Sequence, residues 1–208
     1  MSSSQNPLTG SMRKSMGNFT TVSYGGKNFI RSKPFNRKDP KTEDQMLHRE
    51  KFSLLADFYQ SLSKIIDKGF SVRKKGMTVY NMFISTNFSR AFDESSEEPA
   101  LDYSRILVSK GGIPPVSVVE SGIGAEGITI RYETNIGLPK VSATDELTAF
   151  ARLKNGDFLL TGQTRGSEET GTLVLEYTDL IPQEVECCYL FGRSANGKMS
   201  SNSVAIKY

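Results

Sequence analysis

The sequence contains no apolar run approaching the ~18 residues of a membrane-spanning helix. It has one histidine and only two cysteines, and these are adjacent. The first absence predicts that no helix crosses a membrane. The shortage of cysteine excludes a disulfide-stapled scaffold. Cys187 and Cys188, as neighbours in a strand, point to opposite faces, and a bond between them would be strained. Two free thiols are expected, one buried and one at the surface, in a reducing compartment. A lone His48 far from the cysteine pair supplies no zinc-ligand spacing. Met1–Gly10 is polar and reads as no secretion signal, so a cytoplasmic location is expected, with incorporation into a larger particle or assembly left open. Apolar residues make up 37% of the chain, against ~45–50% (counting Gly) for a compact globule. Part of the chain is therefore expected to be thin, extended or reliant on a partner for burial.

Charge of one sign is scarce in one place and abundant in another. Residues 1–51 hold ten Lys/Arg against four Asp/Glu, whereas residues 111–208 hold eight against twelve. A near-neutral chain of 208 residues, net +3, thus joins a basic arm to a mildly acidic body. Such asymmetry points to a polyanion or an acidic protein surface as partner.

The order of patterns predicts an α+β protein in three parts. Residues 1–41 read as a basic extended arm with a β-hairpin: Asn18–Tyr24 alternates, Gly25-Gly26 marks a tight turn, and Lys27–Ser32 runs back. A two-stranded hairpin is marginal alone in water and must lean on something. Residues 42–100 read as an antiparallel helical hairpin. Thr42 with Gln45 forms a capping box. Phe52, Leu55, Phe58, Tyr59, Leu62, Ile65 and Ile66 then make one apolar stripe, with Gly69 expected as a left-handed terminator. A second helix starts near Thr78 and ends in the acidic loop 93–99. Each helix has one apolar stripe, so the pair needs a further layer.

Residues 101–208 supply it as a β-sandwich. A lead strand is expected at Tyr103–Ser109, followed by Pro115–Glu120, Gly127–Glu133, Glu146–Leu153, Asp157–Thr164, Thr172–Tyr177, Val185–Arg193 and Ser201–Lys207. Asn155-Gly156 and Asn196-Gly197 are hairpin turns, because both positions tolerate positive φ. Alternation puts Ile128, Ile130, Tyr132, Phe150, Leu173, Leu175 and Leu190 in the sandwich interior.

Two resemblances follow from these segments. Ile128-Thr129-Ile130-Arg131-Tyr132 resembles the second strand of fibronectin type III and related immunoglobulin-like modules. Leu180-Ile181-Pro182 before Val185–Arg193, then a turn and Ser201–Ile206, resembles the last hairpin of that fold. The tyrosine that ties the loop before the penultimate strand of such modules is missing, with Val185 or Glu186 near its place. Pro7-Leu8-Thr9-Gly10, Gly26-Lys27-Asn28, Arg31-Ser32-Lys33-Pro34, Gly69-Phe70, Asp102-Tyr103-Ser104, Ser109-Lys110-Gly111 and Ser201-Asn202-Ser203-Val204 are among the stretches that carry a second resemblance. Through them nearly the whole chain resembles domain-of-unknown-function family 6266, widespread in Bacteroidota. The resemblance implies a shared architecture and brings no activity, cofactor or catalytic residue with it.

No arrangement of residues points to catalysis. His48 stands one helical turn after Asp44, an ordinary surface pairing, and reads as a solvated helix residue. The glycines of Ser121–Gly127 precede a β pattern rather than a helix, so they form a hairpin loop and not a dinucleotide fingerprint. Glu97-Glu98 lies in a Ser-rich acidic stretch and reads as solvated linker. No cofactor, no metal and no small-molecule ligand are expected. The candidate partner-binding residues are those of the arm: Arg13, Lys14, Lys27, Arg31, Lys33, Arg37, Lys38 and Lys41, interleaved with Phe19, Tyr24 and Phe29. The leading expectation is a non-catalytic structural or interaction protein that forms a homo-oligomer or larger assembly through the arm. The alternative is a non-specific nucleic-acid-associated protein, with basic groups on phosphates and aromatic rings stacking on unpaired bases.

Overall fold

In chain order the described residues give a small antiparallel sheet, two helices and a run of seven further strands, so the protein is α+β. The computed structural model describes residues 14–24, 27–33, 39, 41–73, 76–93, 98–177 and 184–208. The turn at Gly25-Gly26, the acidic stretch 94–97 and Leu180-Ile181-Pro182 lie outside them. The chain divides into two compact units, Met1–Glu43 and Asp44–Tyr208.

The first unit contains β1 (Lys14–Met16), β2 (Phe19–Tyr24) and β3 (Lys27–Ser32). They form one antiparallel sheet in the order β1-β2-β3. The expected hairpin is therefore a three-stranded sheet. Gly17, at φ 56, turns the chain so that Met16 pairs with Phe19, a backbone geometry that costs glycine little.

In the second unit, α1 spans Glu43–Gly69 with a break in helical geometry at Leu62, and α2 spans Val79–Asn87. The side chain of Thr78 caps α2 by accepting from the Asn81 N–H at 3.1 Å. The helices meet through rings: Phe58 stacks on Phe83 at 6.2 Å, and Tyr59 meets Tyr80 edge-on at 5.1 Å. Gly69 is not the left-handed terminator expected, since its φ is not positive. It is glycine for space: a Cβ there would collide with the Val108 carbonyl and the Ser109 side chain.

Seven strands follow: β4 (Ser117–Ile123), β5 (Gly127–Glu133), β6 (Glu146–Leu153), β7 (Phe158–Thr164), β8 (Thr170–Glu176), β9 (Val185–Arg193) and β10 (Val204–Ile206). They form two antiparallel sheets, β4-β5-β8 and β10-β9-β6-β7. The expected lead strand is absent: Tyr103–Arg105 is a turn of 3-10 helix. The Asp102 carboxylate accepts from the Ser104 N–H at 3.0 Å, and Asn87 takes the backbone groups of Leu107. These side-chain partners satisfy backbone groups that a strand would give to a ladder.

Two cores flank the β10-β9-β6-β7 sheet. Ile128, Ile130, Tyr132, Leu173 and Leu175 pack against Leu147, Ala149, Ala151, Cys188 and Leu190 between the sheets. On the other face, Phe150, Cys187, Tyr189 and Phe191 pack with Leu55, Phe58, Ile66 and Phe83 of the helices. Phe150 therefore lies opposite to its expected side, because a sheet covered on both faces is apolar at successive positions and alternation no longer reports one core. For the same reason both cysteines are buried, each on its own face, where one surface thiol was expected.

Candidate interaction surface

In the arm sheet, the register pairs Val22 with Phe29 and Thr20 with Arg31 on one face, and Phe19 with Ser32 and Thr21 with Ile30 on the other. Phe19, Val22, Phe29 and Ile30 are all exposed, Phe29 at 54% and Ile30 at 68%. Apolar residues thus stand out on both faces of a sheet three strands wide. Such groups lose free energy to water wherever nothing covers them, at roughly 25 cal/mol per Å² of apolar surface. Arg31 and Lys33 are exposed at the end of β3. The Lys33 N–H donates to the Asn18 carbonyl at 2.6 Å, which extends the ladder one step beyond the strand. The outer side of β3 has no strand beside it among the described residues, so it is an open edge.

Of the predicted arm residues, the structure gathers Phe19, Phe29, Arg31 and Lys33 on this sheet and its end, all exposed. Lys14, Tyr24 and Lys27 occupy strand positions in β1, β2 and β3. Lys41 stands apart, just before α1, exposed and with a left-handed backbone at φ 45. Arg13, Arg37 and Lys38 lie outside the described residues. Sequence reading missed Val22 and Ile30 because it sought rings and charges. Their signal was available as apolar residues on opposite faces of paired strands too short to enclose a core.

Elsewhere, two groups of polar side chains stand out. A cleft of about 330 Å³ opens beside the 3-10 turn, lined by Tyr103, Glu186, Cys187, Lys207 and Tyr208 among others. Within it, Glu186 pairs with the Arg152 guanidinium at 3.0 Å and accepts from the Tyr103 hydroxyl at 3.1 Å. Burial, then the Glu186 charge, pushes the Tyr103 phenol up to about 12. Burial first, and Glu186 next, raises the Cys187 thiol to about 12, which leaves it a neutral, unreactive group.

At one end of the sandwich Arg165 is wholly buried. Its Nη1 donates to the Thr134 carbonyl at 2.9 Å, and its Nε lies 3.9 Å from Asp145. Burial lowers the guanidinium's affinity for its proton, and Asp145 opposes that shift. The Tyr132 hydroxyl donates to the Arg165 carbonyl at 3.2 Å and accepts from Gln163 at 2.8 Å. Gly192 leaves room for the guanidinium, since a Cβ there would crowd Arg165 Nη2. This arrangement ties loop to sheet. His48 is exposed on α1 with its ring 4.6 Å from that of Phe88. Among the described residues there is no group of three or more His, Cys, Asp or Glu placed to hold a metal ion.

A further set of bonds joins three of the stretches that carry the family resemblance, those at Gly69, Ser109 and Ser201–Ser203. The Gly69 carbonyl accepts from Ser109 Oγ at 2.9 Å and Ser200 Oγ at 2.7 Å. Ser109 Oγ is also within 2.6 Å of the Ser201 carbonyl, and the Val108 N–H donates to Ser203 Oγ at 3.0 Å. The end of α1, the segment after the 3-10 turn and the approach to β10 are thus welded into one junction.

Residues 11–207 match the model of a family of unknown function, DUF6266. The chain belongs to that family. No curated protein and no solved structure matches it. Among the described residues no helix is long and apolar enough to cross a membrane.

Proposed function

We propose that this protein is a non-catalytic structural or interaction protein, which assembles with further copies of itself through its N-terminal arm. The observation that carries the reading is the arm sheet, with Phe19 and Ile30 uncovered on one face and Val22 and Phe29 on the other. A second copy is the chosen occupant because the arm is basic and residues 111–208 are acidic, so arm and body of different copies attract. A contact between two different surfaces of like copies closes into a ring or propagates as a filament. A fibronectin type III-like sandwich is part of the same reading. Support comes from the strand orders β4-β5-β8 and β10-β9-β6-β7, which place the first, second and fifth of seven strands in one sheet. A cytoplasmic location also belongs to it, supported by two buried free thiols.

Removing residues 1–34 tests the assembly. Light scattering should report a multiple of the chain mass for the full protein and a single chain for the truncated one. A full-length protein that stays monomeric at high concentration sinks the idea. The second reading, non-specific nucleic-acid binding, draws on Arg31 and Lys33 beside the exposed Phe29. It predicts an affinity for single strands that falls steeply with salt, by counterion release.

A further inference from the structure

We infer that the free edge of β7 is the acceptor for strand β3 of a second copy, joining the arm sheet of one chain to the β10-β9-β6-β7 sheet of the next. This rests on the proposed self-assembly and names the surface that receives the arm. β7, of seven residues against six in β3, pairs with β6 alone among the described residues, so no strand is hydrogen-bonded along its other side, although near its end the Gln163 side chain donates to the Thr172 carbonyl of β8 at 3.0 Å.

The face of β7 is also unfinished. Leu160 pairs with Phe150 and Phe158 with Arg152, which places both on the side of the sheet that the helices cover. Phe150 is buried under those helices, but Leu160, one strand further out, is 53% exposed and Phe158 is equally bare. The apolar surface therefore runs past its cover to the sheet's edge. An exposed apolar edge strand is a template for another strand.

Charge selects the partner. Exposed Asp157 directly precedes β7, and the loop after it carries exposed Glu168 and Glu169 beyond the buried Arg165, so acidic groups flank the strand on both sides in the chain. β3 begins at Lys27 and closes on Arg31-Ser32 with Lys33 next in the chain, so both ends carry basic residues. The match holds for either strand direction. The other edges fit less well. β4 carries a bulge between Val118 and Glu120, which disrupts pairing. β10 has three residues, and β8 exposes a single large apolar residue, Val174.

The experiment uses the full chain with three variants, each checked for folding by circular dichroism and weighed by light scattering. Leu160→Asp removes the apolar contact. Lys27→Glu with Arg31→Glu and Lys33→Glu reverses the ends of β3, and Asp157→Lys with Glu168→Lys and Glu169→Lys reverses the acidic groups flanking β7. Each alone should fall to the mass of one chain. Mixing the two charge-reversed proteins should restore an alternating assembly, because each arm then meets an edge of opposite sign. If Leu160→Asp misfolds, the mixing experiment alone decides. Arm-dependent assembly that survives all three variants overturns the β7 assignment while leaving the proposed function standing. A wild-type protein that is monomeric overturns both.

Discussion

Two buried thiols and one half-buried phenol make the stability depend on pH in one direction. Burial raises Cys187 and Cys188 from an ordinary 9.0 to about 12, and Tyr103 from 10.0 to about 12. In the unfolded chain these groups lose their protons near 9 to 10, while in the folded protein they stay neutral. Their contribution is therefore fully present below pH 9 and is lost as pH rises through about 12. The urea midpoint should be insensitive to them between pH 7 and 8.5 and should fall between pH 9.5 and 11. A midpoint that stays flat over the alkaline range would show that the thiols are accessible. Arg165 acts differently at this scale: it is held charged by Asp145 inside the fold, and removing either partner would strand the other in low dielectric.

At the scale of the element, Asn87 joins α2 to the segment after the 3-10 turn. Its amide donates to the Leu107 carbonyl at 2.9 Å and accepts from the Leu107 N–H at 2.8 Å, as a neighbouring strand would. Asn87→Ala should cost about 1–3 kcal/mol, the penalty of leaving such groups partly buried without partners. Equilibrium urea unfolding measures it, and a change under ~0.5 kcal/mol would mean that water replaces the amide freely. This substitution of side chain for ladder also explains what was legible in the sequence. β5, β6 and β9 stand at their expected bounds because long alternating or apolar runs between turns report directly on backbone pairing. Tyr103–Ser109 looked equally extended, but its hydrogen bonds go to Asp102, Asn87, Ser203 and the Gly69 junction, which no local pattern announces. Ser201–Lys207 shrinks to Val204–Ile206 for the same reason, with Ser201 and Ser203 spent on the junction. For the candidate site, the basic and aromatic members could be read off. The β7 edge could not, because Phe158 and Leu160 look like any core residues until the extent of the helical cover is known.

Across the whole molecule, the two units differ in what encloses them. The second has two apolar cores, one on each side of a shared sheet, while the arm sheet exposes its apolar residues on both faces. Amides of β2 and β3 should therefore exchange with solvent far faster than those of β6 and β9 in dilute protein, and should become protected as concentration rises. Hydrogen–deuterium exchange at two concentrations checks this, and slow exchange in the arm of a dilute monomer would count against it. The Gly69 junction carries a consequence in time. The helix end waits for Ser200, 131 positions downstream, before its carbonyl meets that hydroxyl. At ~5–20 residues per second of synthesis, that interval is roughly 7–26 s. During it the aromatic stripes of α1 and α2 have been made while β9, which covers them, has not. On the ribosome, this protein's first task is to keep its finished helices from finding a stranger before its own last strands arrive.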